Sequence, residues 1–300
     1  MALPQGHLQH RPAGPDAWEP LAGPALLDRL RITGRPRPTA DPELVVMLRH
    51  GLEEGLLSEG GGQSPRGGPT GLAEPPLVVT KDRLTRALSS DARRRDVEFG
   101  QRLPTVSMAC GAMVDVLFRQ LVTVGSIGDP TADALAALSI DDRQRELVTW
   151  IECLPKSEVA ELRAEVERQA DGLVRRWPKL DAAWLPRTQE ALRVGLAGGA
   201  VELSARVDLA VGRPAQQRAS VAIVEIKSGA RRIEHRADLH FYALVEALRN
   251  PAPPFVVATY YTRTGELDVD PVTEELLVAA SQRTLAGIRA LLPDRESGRR

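Results

Sequence analysis

Three side chains between Ala200 and Arg249 are hard to account for as packing: Asp208, Glu225 and Lys227. Glu225 and Lys227 are two apart, so on a strand they share a face, while Ile226 between them points the other way into apolar packing. Two carboxylates with open coordination positions suit a hard cation, Mg²⁺ or Mn²⁺. Such a cation activates a water and neutralises charge on an attacked phosphate. Lys227 would orient that water or stabilise the developing negative charge. The chain has only four lysines, Lys81, Lys156, Lys179 and Lys227, and its other basic side chains are arginine. A primary amine at the end of an apolar strand, two residues after a glutamate, implies that the amine itself matters. The bland alternative makes Asp208 a strand-end residue on a wet face and Glu225–Lys227 an exposed ion pair worth about 0–1 kcal/mol.

The elements that must position these groups are legible as patterns. Val201, Leu203, Ala205, Val207, Leu209 and Val211 alternate with more polar residues, the period of a strand with one buried face. Gly212-Arg213-Pro214 breaks that strand, and Val221 to Lys227 reads as a central strand. Strand, turn and strand make a hairpin that brings Asp208 beside Glu225. Thr188 to Leu196 is expected as the first strand, and Phe255 to Tyr261 as a later one with its turn at Thr264-Gly265. Helices are expected over Asp41–Leu57, from the cap Thr80 to about Arg95, over Pro104–Val124, Asp141–Trp150 and Glu158–Arg176. After the site, Ala237, Phe241, Leu244, Val245 and Leu248 form a buried helical stripe ended by Asn250-Pro251. Asp270-Pro271 is expected to start a last helix, to about Leu292. The fold class is α/β, a small mixed central sheet flanked by helices, with a helical insert.

Asp115 is the one acid in the apolar helix SMACGAMVDVLFRQLV. A carboxylate on a buried helix is costly unless paired or bound to metal, so it is a candidate ligand. The alternative is that it faces solvent or an arginine such as Arg119, four residues on.

Asp208 followed by Glu225-Ile226-Lys227 resembles the two-part motif of the PD-(D/E)xK nuclease superfamily, in particular its RecB-like branch. The resemblance runs from about Leu77 to Leu292 and is weak outside the central strands. It implies a restriction-endonuclease-like core and a metal held by Asp208, Glu225 and the carbonyl of Ile226. It also implies a further ligand on an upstream helix, where Gly111-Ala112-Met113-Val114-Asp115 places Asp115 in the position of the family's histidine. The branch's QxxxY helix corresponds to Asp238-Leu239-His240-Phe241-Tyr242, with Asp238 in place of the glutamine. Related nucleases sometimes carry an extra acid near the first strand, which makes Glu190 an additional candidate.

Other residues admit two readings each. Arg83 and Arg86, with Arg93, Arg94 and Arg95, would contact phosphates of a nucleic-acid strand, or form a solvated helix face. Asp238 and Tyr242 would touch substrate or the site, or Tyr242 would hydrogen-bond at a core edge. Trp150, Trp177 and Trp184 would stack on bases or pack. His235 and His240 are five apart, poor spacing for one metal-binding helix face.

Composition sets limits. Hydrophobic content of 43% and charged content of 26% are those of an ordinary globular chain. A formal charge of −1 says nothing about partners; a nucleic-acid binder would need its arginines clustered locally. Two cysteines, Cys110 and Cys153, cannot make a four-cysteine iron–sulfur cluster, so none is expected. No 18-residue apolar run is read in the chain, so no membrane association is expected. MALPQGHLQHRPAGP lacks the apolar core of a signal segment, and with the cysteines this points to a cytoplasmic setting. Residues 1–75 read as a Pro/Gly-rich extension with one short helix and a linker, a possible place for a protein partner; residues 76–295 read as the nuclease-like domain. The function expected is metal-dependent cleavage of DNA in repair, recombination or defence. The alternative is a nuclease-like domain that binds nucleic acid or a partner without cutting. A third reading, a helical interaction protein, expects no cleft joining Asp115, Asp208, Glu225 and Lys227.

Overall fold

The computed structural model describes residues 23–30, 41–57, 75–89, 104–214, 218–250 and 252–292. The glycine-rich stretch around Gly60–Gly62, Arg93 to Arg95 and the tail ESGRR lie outside them. The molecule is mixed α/β: a mixed sheet with helices on both faces.

Nine α-helices and six strands are described. In chain order they are α1 (Gly23–Leu30), α2 (Pro42–Leu57), β1 (Leu77–Val79), α3 (Lys81–Ala87), α4 (Val106–Val124), α5 (Pro130–Ile140), α6 (Arg145–Glu152) and α7 (Lys156–Arg176). There follow β2 (Arg187–Leu196), β3 (Val201–Val211), β4 (Ala222–Lys227), α8 (Glu234–Arg249), β5 (Val256–Tyr261), β6 (Glu266–Pro271) and α9 (Glu274–Leu291).

β3 is the pivot of the sheet. It pairs antiparallel with β2 along one edge. Its other edge is shared: Val201–Leu203 pair parallel with β1, and Leu209–Val211 pair antiparallel with β4. β5 runs parallel to β4 and β6 antiparallel to β5. The parallel β4–β5 pair requires a crossover, which α8 supplies.

Each face of the sheet has its own core. On one face Leu44, Leu48 and Leu52 of α2 join Leu84 of α3, Leu244 of α8 and Ile288 of α9. On the other, Val114 and Phe118 of α4 join Leu138 of α5, Ile151 of α6, Leu173 of α7 and Tyr260 of β5. Trp177 stands edge-on to both Phe118 and Tyr260, at 4.8 and 4.9 Å between ring centroids, so packing accounts for it.

Several expectations are corrected. Thr188–Leu196 is not the first strand, because the three residues of β1 precede it. The helix from Thr80 ends at Ala87 and does not run on to Arg95; the Thr80 hydroxyl does cap it, accepting from the Arg83 N–H. The short apolar patch Ala25–Leu30, in a segment whose composition reads as mostly extended, is helical, and Leu26 and Leu30 join the core that holds Val114 and Phe118. α5 had no counterpart in the sequence reading; it starts at an Asp129 cap with Pro130 in its first turn. Asp270 and Pro271 close strand β6, where a proline is tolerated on a sheet edge, and α9 starts after the cap Thr273. α4 is 19 residues long and apolar enough by length and composition to cross a membrane, so the expectation of no such segment was wrong. Here it is a core helix laid on the sheet.

The uniform alternation expected of β3 also fails at one point. Val201, Leu203, Ala205 and Val207 belong to the first core, but Leu209 and Val211 belong to the second and Ala210 to the first. The inward face changes over at Asp208.

Candidate metal centre

The changeover at Asp208 coincides with two features of its neighbours. The β3–β4 register pairs Leu209 with Val224 and, carried one step on, sets Asp208 opposite Glu225. There the strands part, and the Asp208 carboxylate accepts the Ile226 N–H at 2.7 Å in place of a ladder bond. On the other side, Gln189 of β2 stands between the paired positions Thr188–Leu209 and Glu190–Val207, opposite Asp208. Its φ of 54° lies in the left-handed region. For a residue other than glycine that conformation costs about 1–2 kcal/mol.

The gap between β3 and β4 opens into a cleft of about 300 Å³. Asp115, Asp208, Glu225, Ile226 and Lys227 all line it, together with Ser228. The helical-interaction reading expected no such cleft. Asp115 comes from α4, where Gly111 faces the loop after β4: a Cβ on Gly111 would stand 3.3 Å from Ser228 Oγ. Arg119, the partner foreseen for Asp115, is present at 3.5 Å, and Asp115 nevertheless faces the cleft. Arg232 and His235 line the cleft as well.

Glu225 is buried, its side chain 5% exposed, and two ammonium groups converge on one of its oxygens. Lys227 Nζ is 2.7 Å and Lys81 Nζ 2.5 Å from Oε1. Oε2 is buried and has no hydrogen-bond partner among the described residues. An orphaned carboxylate oxygen in a buried position is expensive unless something cationic or donating meets it. Among the described residues no group of three or more His, Cys, Asp or Glu is gathered as a ready-made metal shell. The Gln189 amide and the two lysines hydrogen-bond to these carboxylates. Gln189 Nε2 lies 3.2 and 3.4 Å from the two oxygens of Asp115 and 3.3 Å from Asp208 Oδ1.

The carboxyl groups are shifted in different directions. Burial, then the proximity of Glu225 and Asp115, pushes Asp208 well above the ordinary carboxyl range. Asp115 is raised by burial and by Glu225, with Arg119 pulling against them. For Glu225 burial acts upward too, but Lys81 and Lys227 outweigh it and the net direction is down. Burial, then Lys227 and Arg232, pushes the His235 imidazole down to about 4, so it is neutral at neutral pH; its Nδ1 is 3.2 Å from the Tyr261 hydroxyl. The residues present therefore fit a divalent cation: hard oxygen donors on one cleft, one of them ionised and carrying an unused oxygen.

Lys81 was missed by the sequence reading, although the scarcity of lysine pointed to it as much as to Lys227. It begins α3, so β1 delivers it to the site. It lies 3.7 Å from Asp238, and its Nζ stands 5.1 Å from the centre of the Tyr242 ring. Asp238 and Tyr242 thus meet Lys81, behind Glu225, and do not line the cleft. Tyr242 is 2% exposed and offers no surface to a substrate. Arg83 and Arg86 lie off the cleft as well; their side chains donate to the carbonyls of Val78 and Asp82. Glu190 points away from Asp208, paired with Arg187 at 2.8 Å and Arg249 at 2.9 Å. Its neighbour Gln189 is the residue that faces the carboxylates, and nothing in a lone amide of an alternating strand marks it.

No family model matches the chain, and no curated protein matches it. Among solved structures, one described as the crystal structure of SSO0001 is similar over 84% of this chain and 88% of its own, at 11% identity and a TM-score of 0.25.

Proposed function

We propose that the protein is a Mg²⁺- or Mn²⁺-dependent nuclease that hydrolyses phosphodiester bonds in DNA, of the PD-(D/E)xK kind, acting in the cytoplasm. The observation that carries this is the meeting of Asp115, Asp208, Glu225 and Lys227 on one cleft, with Glu225 Oε2 buried and unpartnered. The ligands would be Asp208, Glu225, the carbonyl of Ile226 and Asp115. When bound, the cation would acidify a water and offset charge on the phosphate under attack.

The chain's own groups have separate tasks in this reading. Lys81 reaches Glu225 without lining the cleft and keeps that carboxylate ionised. Lys227 lines the cleft, so its amine is placed to orient the attacking water and to hold charge that develops on the phosphate. Arg232 adds a second positive group on the same wall, a contact for the strand's phosphates. Neutral His235 leaves that wall free of a further charge.

Removing one member of a group that acts together should abolish most of the rate. We expect Asp208→Ala and Lys227→Ala each to lower Mn²⁺-dependent cleavage of a labelled DNA by at least about a hundredfold, the scale of losing one electrostatic group from such a site. Both variants should keep a cooperative melt. Cleavage retained in either would reject the assignment. DNA binding without cleavage by the wild-type chain would favour the inactive, binding-only alternative.

A further inference from the structure

Among the described strand residues, Gln189 alone has a backbone in the left-handed region. Strain of that kind persists where the surroundings over-determine it, and it gathers at functional sites. Here the surroundings are two acids from different elements, Asp115 on α4 and Asp208 on β3. Asp115 is otherwise met by Arg119 and Asp208 by the Ile226 N–H, and neither of those partners touches both acids. The Gln189 amide contacts both carboxylates, at 3.2 to 3.4 Å. It is neutral, so it draws the acids together without bringing a charge that would repel a cation, as Arg or Lys in its place would. Gln189 does not itself line the cleft, whereas both acids it holds do.

We propose that Gln189 is the positioning residue of the metal centre, holding Asp115 and Asp208 in the arrangement a divalent cation between them needs. This rests on the nuclease reading above. Groups that hydrogen-bond to metal ligands set ligand orientation, and their loss weakens metal affinity by about 10–100-fold. The register fixes the role on this residue: shifting by one position would present Glu190, which is committed to Arg187 and Arg249.

The test is calorimetric titration of the full chain with MnCl₂, comparing wild type with Gln189→Leu. The expected result is a Kd for Mn²⁺ raised about 10–100-fold, with cleavage restored to within a few-fold of wild type once Mn²⁺ is saturating. Should Gln189→Leu lose its cooperative melt, Gln189→Met keeps the unbranched stem and carries the same comparison. A variant that melts lower but binds Mn²⁺ as wild type does has lost only a structural contact, and that result overturns the proposal while sparing the nuclease reading. No saturable Mn²⁺ heat in the wild-type chain overturns both.

Discussion

Glu225 and Asp208 have opposite titration behaviour although they share one cleft. Glu225 has two ammonium partners and stays ionised; Asp208 has a backbone N–H and an amide, and burial raises its pKa. A carboxyl raised in the folded state binds its proton more tightly there than in the unfolded chain. Its stabilising contribution is present below the ordinary carboxyl value and is lost as pH rises through the raised one. Above that raised value the metal-free protein carries the repulsion among Asp208, Glu225 and Asp115 as a cost. We expect Asp208→Asn to raise the metal-free Tm by roughly 2–4 °C, the shift about 1 kcal/mol gives in a domain of this size. That gain should shrink as pH falls toward the ordinary carboxyl value. A calorimetric scan at two pH values checks it; an unchanged or lowered Tm speaks against a strained acid cluster. At this scale the sequence was legible where residue type was itself unusual. Lysine scarcity marked Lys227, and applied evenly it would also have marked Lys81. Gln189 carried no such mark, because its role comes from a backbone angle and a cross-strand register.

The elements that bring these residues together are held by a few buried polar links. Gln169 of α7 donates to the Ser228 carbonyl at 3.2 Å and accepts from the Thr262 hydroxyl at 2.5 Å. Thr262 in turn donates its N–H to the Lys227 carbonyl at 3.0 Å. The helical insert is thus tied to the end of β4, where Lys227 enters the cleft. We expect Gln169→Leu to lower unfolding free energy by about 1–3 kcal/mol, the cost of leaving buried partners unsatisfied. Urea denaturation measures it; a loss near zero would mean water replaces the amide without penalty. The hairpin of β3 and β4 and the helices α2, α4, α7 and α8 were readable because hydrophobic period is strong over long segments. The short β1 and the apolar α5 were not, since three residues show no period and a helix apolar on most sides shows no stripe. The alternation of β3 was read as unbroken because Leu209 and Val211 are as apolar as Val207; only the two cores reveal the changeover at Asp208.

At the scale of the molecule, the segment before residue 76 is part of what holds the sheet. Leu44, Leu48 and Leu52 of α2 are buried against the sheet and α8, and Arg49 donates to the carbonyls of Gly195 and Leu248. Burying three leucines stabilises by about 5–9 kcal/mol, comparable to the whole stability of a typical domain. One face of the sheet thus depends on α2 and the other supports α4 with Asp115, so the cleft depends on both cores. On the proposed reading, this assembly holds a divalent cation through Glu225. The most direct test is calorimetric titration of the full chain with MnCl₂, wild type against Glu225→Gln, at neutral and mildly acidic pH. The expected result is saturable binding that weakens at the lower pH, as protons compete for Asp208 and Asp115, and that Glu225→Gln removes. Binding that is absent from the wild type, or that survives Glu225→Gln unchanged, would contradict it.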